Sequence, residues 1–398
     1  MTGRSARLRN VVLVALLAAL AALAVLLPAR EREPARTESQ AEPNAVPEHV
    51  PPAPSAADPS PAPSSGASAD PLDEAAARRV YESLQSGPEC RFDPLAILRP
   101  QPDLEQGLGL AEHPAGRLVY RTNADGLRED GPTPVRFEGV RVLVGGDSHT
   151  YGVADNRDTF PNVLERLLGE ADPARAYDVV NAGVPYTGPF CYLGTLRKFL
   201  HLRPAVFVAA VFLGNDFWND MMAGRAIRGE LTAGGGEEYA ARLQAVPAAW
   251  NGPLWQGFNQ AYRFKRFPAE ATEALEQVLV SCERMQALCT ESGIRFVVLL
   301  VPTKADVDLG DDRETWRGVC ALLELTPQEA GFNRTLGERL AAGLRERGIE
   351  HIDPTQAMIA AEEPLYWRFD HHLSVAGHAL LGRTLFEALA EGARAGSR

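Results

Sequence analysis

The chain has 398 residues, 45% of them hydrophobic, and a formal net charge of −12. That length holds one large or two ordinary domains with ample apolar material for a core. An acidic balance without any long basic run argues against nucleic acid as a partner. None of the five cysteines (Cys90, Cys191, Cys282, Cys289, Cys320) forms a C-x-x-C pair, which argues against a zinc or thioredoxin-like site. Cys282 and Cys289 share a helical face but lie roughly 10 Å apart along it, too far to bridge.

The first stretch with a clear physical meaning is Val11 to Ala29, an uncharged run of Val, Leu and Ala preceded by Arg4, Arg7 and Arg9. It is long enough to cross a bilayer as a helix, and the arginines place the amino terminus on the cytoplasmic side. A cleaved signal peptide competes with this reading. The small-x-small pattern Ala22-Leu23-Ala24 lies inside the apolar run, however, so an uncleaved signal anchor is favoured. Residues 1–30 are therefore read as a cytoplasmic stub and membrane anchor, with the rest exported. Residues 31–70, rich in Pro, Ala, Ser and Glu, cannot bury enough surface to offset ordering entropy and read as a disordered, semi-extended linker. Leu72 to Gln85 predicts a short helix with Asp73 and Glu74 in its first turn. It opens an extension, residues 71–139, that packs on the catalytic domain.

From about Gly116 the pattern alternates strand and helix. Strands are predicted at Arg117–Thr122, Val140–Val144, Tyr177–Asn181, Ala205–Leu213 and Arg295–Val301, with a short segment at His351–Asp353. Helices are predicted at Thr159–Glu170, Gly194–Leu202, Glu270–Ser292, Leu336–Arg347 and from about Ser374 to Ala393. Near-continuous apolar runs such as Ala205–Leu213 fit parallel strands covered on both faces, and the alternation implies an α/β fold with helices on both sides of a parallel sheet. Two stretches interrupt residues 140–398, at about 217–267 and 306–331. Each follows a strand carboxyl end, so each is either a cap or binding wall or a satellite packed on itself.

The chemistry gathers at those strand ends. Gly146-Asp147-Ser148, Asn181-Ala182-Gly183 and Gly214-Asn215-Asp216 each close a strand, and Asp370-His371-His372 precedes the last helix. Ligands bind at the carboxyl edge of open α/β sheets. Acyl transfer needs a nucleophile, a base and donors for a developing oxyanion. Ser148 can attack, and a histidine of the last block can take its proton with Asp370 orienting the ring. The backbone N–H groups of Ser148 and Gly183 and the Asn215 amide can form the oxyanion hole.

These four blocks, in this order, resemble those of the SGNH (GDSL-type) esterases and lipases over roughly Val140 to Leu389. The resemblance implies a three-layer α/β/α sandwich, a serine esterase mechanism with Ser148, Gly183 and Asn215 in the roles just argued, and a structural part for Asp147. No metal and no cofactor are expected. The terminal block departs from the usual Asp-x-x-His: position 373 is Leu. In an extended segment Asp370 shares a side with His372 while His371 points elsewhere, so His372 is the expected base and His371 the competitor. A metal site built from Asp147, His149, Asp216, Asp370, His371 and His372 is a weaker alternative, because no early Asp-x-His block precedes the first strand. His149 reads as a surface residue or one placed behind the nucleophile. His378 is expected to pack or cap within the final helix. Lys304 reads as a solvated lysine or an anion contact. The expected substrate is a small-molecule or glycan ester, O-acetyl or short-chain acyl. An O-acyltransferase of exported polysaccharide or peptidoglycan on the same scaffold is the runner-up, and an inactive membrane-tethered binding domain is the remote alternative.

Overall fold

Five apolar runs pair in parallel to form the central sheet. The computed structural model describes residues 73–84, 86–230, 255–307, 309–310, 313–368 and 370–395, all within the unit Ala67–Arg398. The sheet is built from β5 (Val140–Gly146), β6 (Tyr177–Asn181), β7 (Val206–Phe212), β8 (Arg295–Val301) and β9 (His351–Ile352), in the order β6-β5-β7-β8-β9. Every pairing is parallel, with Val142 opposite Val179 on one side and Val206 on the other. β6 runs beside β5 on one flank, and the chain then crosses to β7 on the other. The carboxyl ends of β5 and β7 therefore bound the switch point, where a ligand crevice opens in sheets of this kind.

Preceding the sheet are α1 (Glu74–Ser83) and two antiparallel hairpins, β1 (Cys90–Asp93) with β2 (Ile97–Pro100) and β3 (Glu105–Gly109) with β4 (Arg117–Arg121). The helices that follow are α2 (Ser148–Tyr151), α3 (Phe160–Ala171), α4 (Pro189–Phe199), α5 (Asp216–Arg228), α6 (Trp255–Arg266), α7 (Pro268–Glu291), α8 (Lys304–Val307), α9 (Arg313–Leu322), α10 (Pro327–Ala330), α11 (Phe332–Glu346), α12 (Thr355–Ile359) and α13 (Val375–Ala395).

Successive side chains of a strand point to opposite faces, and each central strand here is apolar on both. Val142, Val144, Val208, Ala210, Phe212, Val297 and Leu299 enter one core with Phe160 and Leu164 of α3 and Leu381 and Leu385 of α13. Leu143, Phe207, Ala209, Val211, Phe296 and Val298 enter the other with Tyr192 and Leu196 of α4, Val278 and Cys282 of α7, and Leu336 and Leu340 of α11. The sheet is thus covered by helices on both faces. All five cysteines are buried and unbridged.

Several expectations are corrected. Arg117–Thr122 is not a strand of the main sheet. Arg117–Arg121 pairs antiparallel with Glu105–Gly109, an exposed strand whose sequence carries no apolar alternation to announce it. Residues 217–228 are not an insertion, because Phe217 and Met221 of α5 are fully buried in the core. Asp220, also buried, accepts from Ser281 Oγ of α7 (2.7 Å) and from the Phe190 N–H of α4. Of the described residues in the two interruptions, Phe258 and Tyr262 of α6 pack with Val319, Cys320, Leu323, Leu325 and Ala330, while Phe264 of the same helix joins the main core. The extension meets the sheet domain where Ala77, Val80 and Ile97 pack on Cys191, Ala223 and Ala226. Among the described residues, no helix is long and apolar enough to cross a membrane. The anchor expected at Val11–Ala29, the linker at 31–70 and the segment 231–254 lie outside the described residues.

Candidate active site

β5 ends in Gly145 and Gly146, and the chain turns at once into the single helical turn α2. Asp147 caps that turn: its Oδ1 accepts from the His149 N–H at 2.8 Å, the local bond that makes aspartate a good helix start. Glycine is required at 146, where an added Cβ would lie 2.0 Å from Thr150 Oγ1. The result is a half-buried Ser148 at the carboxyl edge of the sheet, on a turn whose neighbours Asp147, His149 and Thr150 are buried.

The structure brings Ser148, His372 and Asp370 together. His372 Nε2 is 2.8 Å from Ser148 Oγ, and His372 Nδ1 is 2.5 Å from Asp370 Oδ1. The pairing is achieved differently from the extended segment expected. Residues 370–372 bend, and Asp370 Oδ1 also accepts from the backbone N–H of His372 at 2.8 Å, a local turn typical of aspartate. The bend is closed by Trp367 N–H to His372 O (3.0 Å) and Ser374 N–H to Leu365 O (2.9 Å), with Leu373 bridged to Tyr366. Ser374 Oγ then accepts from Gly377 N–H (3.2 Å) at the start of α13. Burial pushes the Asp370 carboxyl up, but the hydrogen bonds from His372 and the positive charge of His372 and His371 outweigh it and hold it well below the usual carboxylate range. Asp370 is therefore ionised at neutral pH.

His371 does not face away. Its ring centroid is 4.1 Å from that of His372, but Nδ1 and Nε2 of His372 are the nitrogens that meet Asp370 and Ser148. His149 is not a surface residue either: it is 1% exposed, stacked on Phe212 at 3.8 Å, with its ring 4.9 Å from that of His372. It packs beside His372. Among the described residues, ligand atoms of Asp370, His371 and His372 lie within 4.8 Å of one another. Two of these side chains are already joined to each other and, through His372, to Ser148.

Gly183 follows β6 and packs on α2. A Cβ there would fall 2.3 Å from Tyr151 N and 2.7 Å from Thr150 C, both backbone atoms, so only glycine permits this approach. Its N–H donates to Asn181 Oδ1 at 3.0 Å, and Asn181 Nδ2 donates to Thr150 O at 2.9 Å. Asn181, fully buried, thus clamps the β6 loop to the turn that carries Ser148. In the sequence this clamp has one signal, an Asn two positions before a glycine, the local pattern of an Asx turn. Asn215 occupies the N-cap position of α5 without a side-chain capping bond and is half-buried, and its Oδ1 accepts no hydrogen bond. The neighbouring Asp216 is fully buried: its Oδ2 accepts from the Phe212 N–H (2.9 Å) and the Tyr192 hydroxyl (2.8 Å). Burial, followed by the Asp147 charge, pushes its carboxyl well up. Burial likewise raises Asp147, to about 6.

Two further residues differ from expectation. Lys304 is buried rather than solvated, with Nζ 3.3 Å from Trp367 O. His378 caps a helix other than its own: its Nδ1 accepts from the Phe160 N–H at 3.2 Å, at the first turn of α3. Burial, with help from the Arg128 charge, lowers its pKa to about 3, so it is neutral.

No family model matches the chain, and no curated protein matches it. Solved structures with detectable similarity include a GDSL-like lipase from Bacteroides thetaiotaomicron, 16% identical, covering 66% of this chain and 93% of that one with a TM-score of 0.36. An acetyl xylan esterase is 13% identical and covers 63% and 99%, with a TM-score of 0.38. A two-domain esterase active on acetylated mannans is 10% identical and covers 63% and 49%, with a TM-score of 0.35. At these TM-scores the likenesses carry no argument, and the reading of the site rests on its own geometry.

Proposed function

We propose that this chain is a serine esterase that cleaves carboxylic esters through Ser148, His372 and Asp370. The observation that carries the reading is the unbroken chain from Ser148 Oγ through both ring nitrogens of His372 to Asp370, spanning 2.8 and 2.5 Å. Ser148 Oγ attacks the ester carbonyl while His372 Nε2 takes its proton. Asp370 holds Nδ1–H in the required tautomer and offsets the imidazolium charge. The C–O bond to the alcohol then breaks, and His372 returns the proton to the leaving oxygen. A water activated by the same imidazole hydrolyses the acyl-enzyme, releasing the acid and restoring Ser148. The oxyanion formed in each half meets the Ser148 N–H, the Asn215 amide and the Gly183 N–H, which exchanges its Asn181 acceptor for the stronger negative charge.

The finer parts of the proposal draw support from the sequence. A short-chain acyl or O-acetyl ester, on a small molecule or a cell-surface glycan, suits a domain that Val11–Ala29 would hold at the outer face of a membrane. The test is turnover of p-nitrophenyl acetate by the full-length chain in chelator, with Ser148→Ala as control. Activity lost in chelator and restored by a divalent ion would overturn the serine mechanism. Adding an oligosaccharide acceptor separates the transferase: acetylated sugar in place of acetate would move the reading to acyl transfer.

A further inference from the structure

The loop that follows Gly183 carries a residue in a conformation its side chain disfavours. Tyr186 has φ 68°, the left-handed region that glycine adopts freely and other residues enter at a cost. The backbone around it leaves little alternative. Val184 N–H is bonded to Gly146 O (2.9 Å), Thr187 Oγ donates to Val184 O (2.6 Å), and Asn219 Nδ2 donates to Thr187 O (3.2 Å). At Gly188 an added Cβ would sit 3.1 Å from the Asn219 side chain. A strained residue that its surroundings over-determine points to function.

This strain holds out an aromatic ring. Tyr186 is 42% exposed, while its neighbours Pro185 and Thr187 are buried. Its loop lies at the sheet edge that carries Ser148, because Val184 N–H meets Gly146 O and Gly183 packs on Thr150 and Tyr151. Tyr120 and Tyr151 pack at 5.6 Å between centroids, both against the buried Arg128 guanidinium. The Tyr120 hydroxyl interacts electrostatically with both Asp370 and Tyr186, and the Glu89 carboxylate acts on the Tyr186 hydroxyl.

We propose that Tyr186 is a specificity-determining residue, a rigid platform at the mouth of the site against which the flat ring of an ester substrate stacks. The ligand chemistry is a ring face, supplied by a pyranose or by an aryl group. The inference rests on the esterase reading for where the scissile bond lies, but ring binding can be measured without turnover.

The experiment uses the full-length chain in a Ser148→Ala background. Acetylated xylobiose, phenyl acetate and ethyl acetate are titrated calorimetrically against Tyr186, Tyr186→Phe and Tyr186→Gly. Affinity for the ring-bearing esters should fall about tenfold in Tyr186→Gly and stay within twofold in Tyr186→Phe, while ethyl acetate binding is unchanged. With Ser148 restored, KM for ring-bearing esters should rise by the same factor at nearly constant kcat. Loss confined to xylobiose or to phenyl acetate identifies which ring the platform takes. If Tyr186→Phe loses as much as Tyr186→Gly, the hydroxyl and not the ring face carries the effect and the proposal fails. It also fails if Tyr186→Gly binds all three esters as the parent does. Ring-dependent binding without hydrolysis by the Ser148 protein would overturn the esterase reading alone. Hydrolysis with ring-independent binding would overturn the platform alone.

Discussion

Replacing Gly183 with alanine tests how closely the loop after β6 seats Ser148. The added methyl would lie 2.3 Å from Tyr151 N and 2.7 Å from Thr150 C, about 1 Å short of ordinary van der Waals contact. Both are backbone atoms of the four-residue turn that begins at Ser148, so no side chain can rotate to relieve the overlap. Either the turn or the loop moves by about 1 Å. The Ser148 Oγ–His372 Nε2 separation, 2.8 Å in the native chain, then leaves hydrogen-bonding range, or the Gly183 N–H leaves the oxyanion. A displacement of that size costs roughly a hundredfold in turnover, and the overpacking itself costs about 1–3 kcal/mol of stability. The assay is kcat/KM on p-nitrophenyl acetate with thermal unfolding of the same preparation. Gly169→Ala on α3 is the control. A Cβ there has nothing within 4 Å, so it should raise stability by about 0.5–1 kcal/mol and leave turnover alone. If Gly183→Ala keeps turnover within threefold of wild type with unchanged melting, the close approach of β6 to the nucleophile's turn has no catalytic consequence and the argument fails.

Other outcomes follow from the same geometry. His372→Ala should abolish turnover as fully as Ser148→Ala, with the double variant little worse because the two act as a unit. His371→Ala should keep most activity, and the reverse pattern would exchange the two histidines. Asn215→Ala should lower kcat by roughly a hundred- to a thousandfold with a smaller change in KM; unchanged kcat would remove Asn215 from the site. His378 titrates at about 3 in the folded chain, against about 6.5 unfolded. Between those values the unfolded chain binds the extra proton, so stability falls as pH drops through that window, by up to about 1.4 kcal/mol per unit. His378→Gln should melt lower at pH 7 yet lose less on acidification to pH 4, as followed by calorimetry. Equal slopes for variant and parent would show that His378 does not govern the acid limb.

What could be read from sequence was whatever local pattern controls. The strands at Val140, Tyr177, Ala205 and Arg295 are legible because burial on both faces makes them apolar throughout. Their ends are legible because glycines and short polar residues follow at once, which placed Ser148, Gly183 and Asn215 at one sheet edge. Features set by tertiary contact escaped. His149 sits in no apolar period, so nothing announces that Phe212 and His372 enclose it. Helix α5 carries Asp216 and Asp220 on buried positions, which makes a core helix look like a surface insertion. Lys304 is buried through a carbonyl distant in sequence. The terminal block is a mixed case: Asp370 and His372 were paired for their spacing in an extended strand, whereas the pairing comes from a bend that Asp370 itself stabilises.

The two bonds made by the last helical region set a clock on the protein's synthesis. Ser148–His372 joins residues 224 positions apart, and Phe160–His378 joins residues 218 apart. The nucleophile, Gly183 and Asn215 all leave the ribosome before the base does. At about 5–20 residues per second, the stretch from Asn215 to His372 takes on the order of 10 s. During that interval the nascent chain carries an unactivated serine, and α3 waits with an unpaired N–H for the imidazole that will cap it. Contacts of such long range also form slowly, because loop closure must precede any reward. The Ser148–His372–Asp370 cluster is therefore among the last features to mature, and under the proposed esterase mechanism a chain halted anywhere before His372 has no base for Ser148.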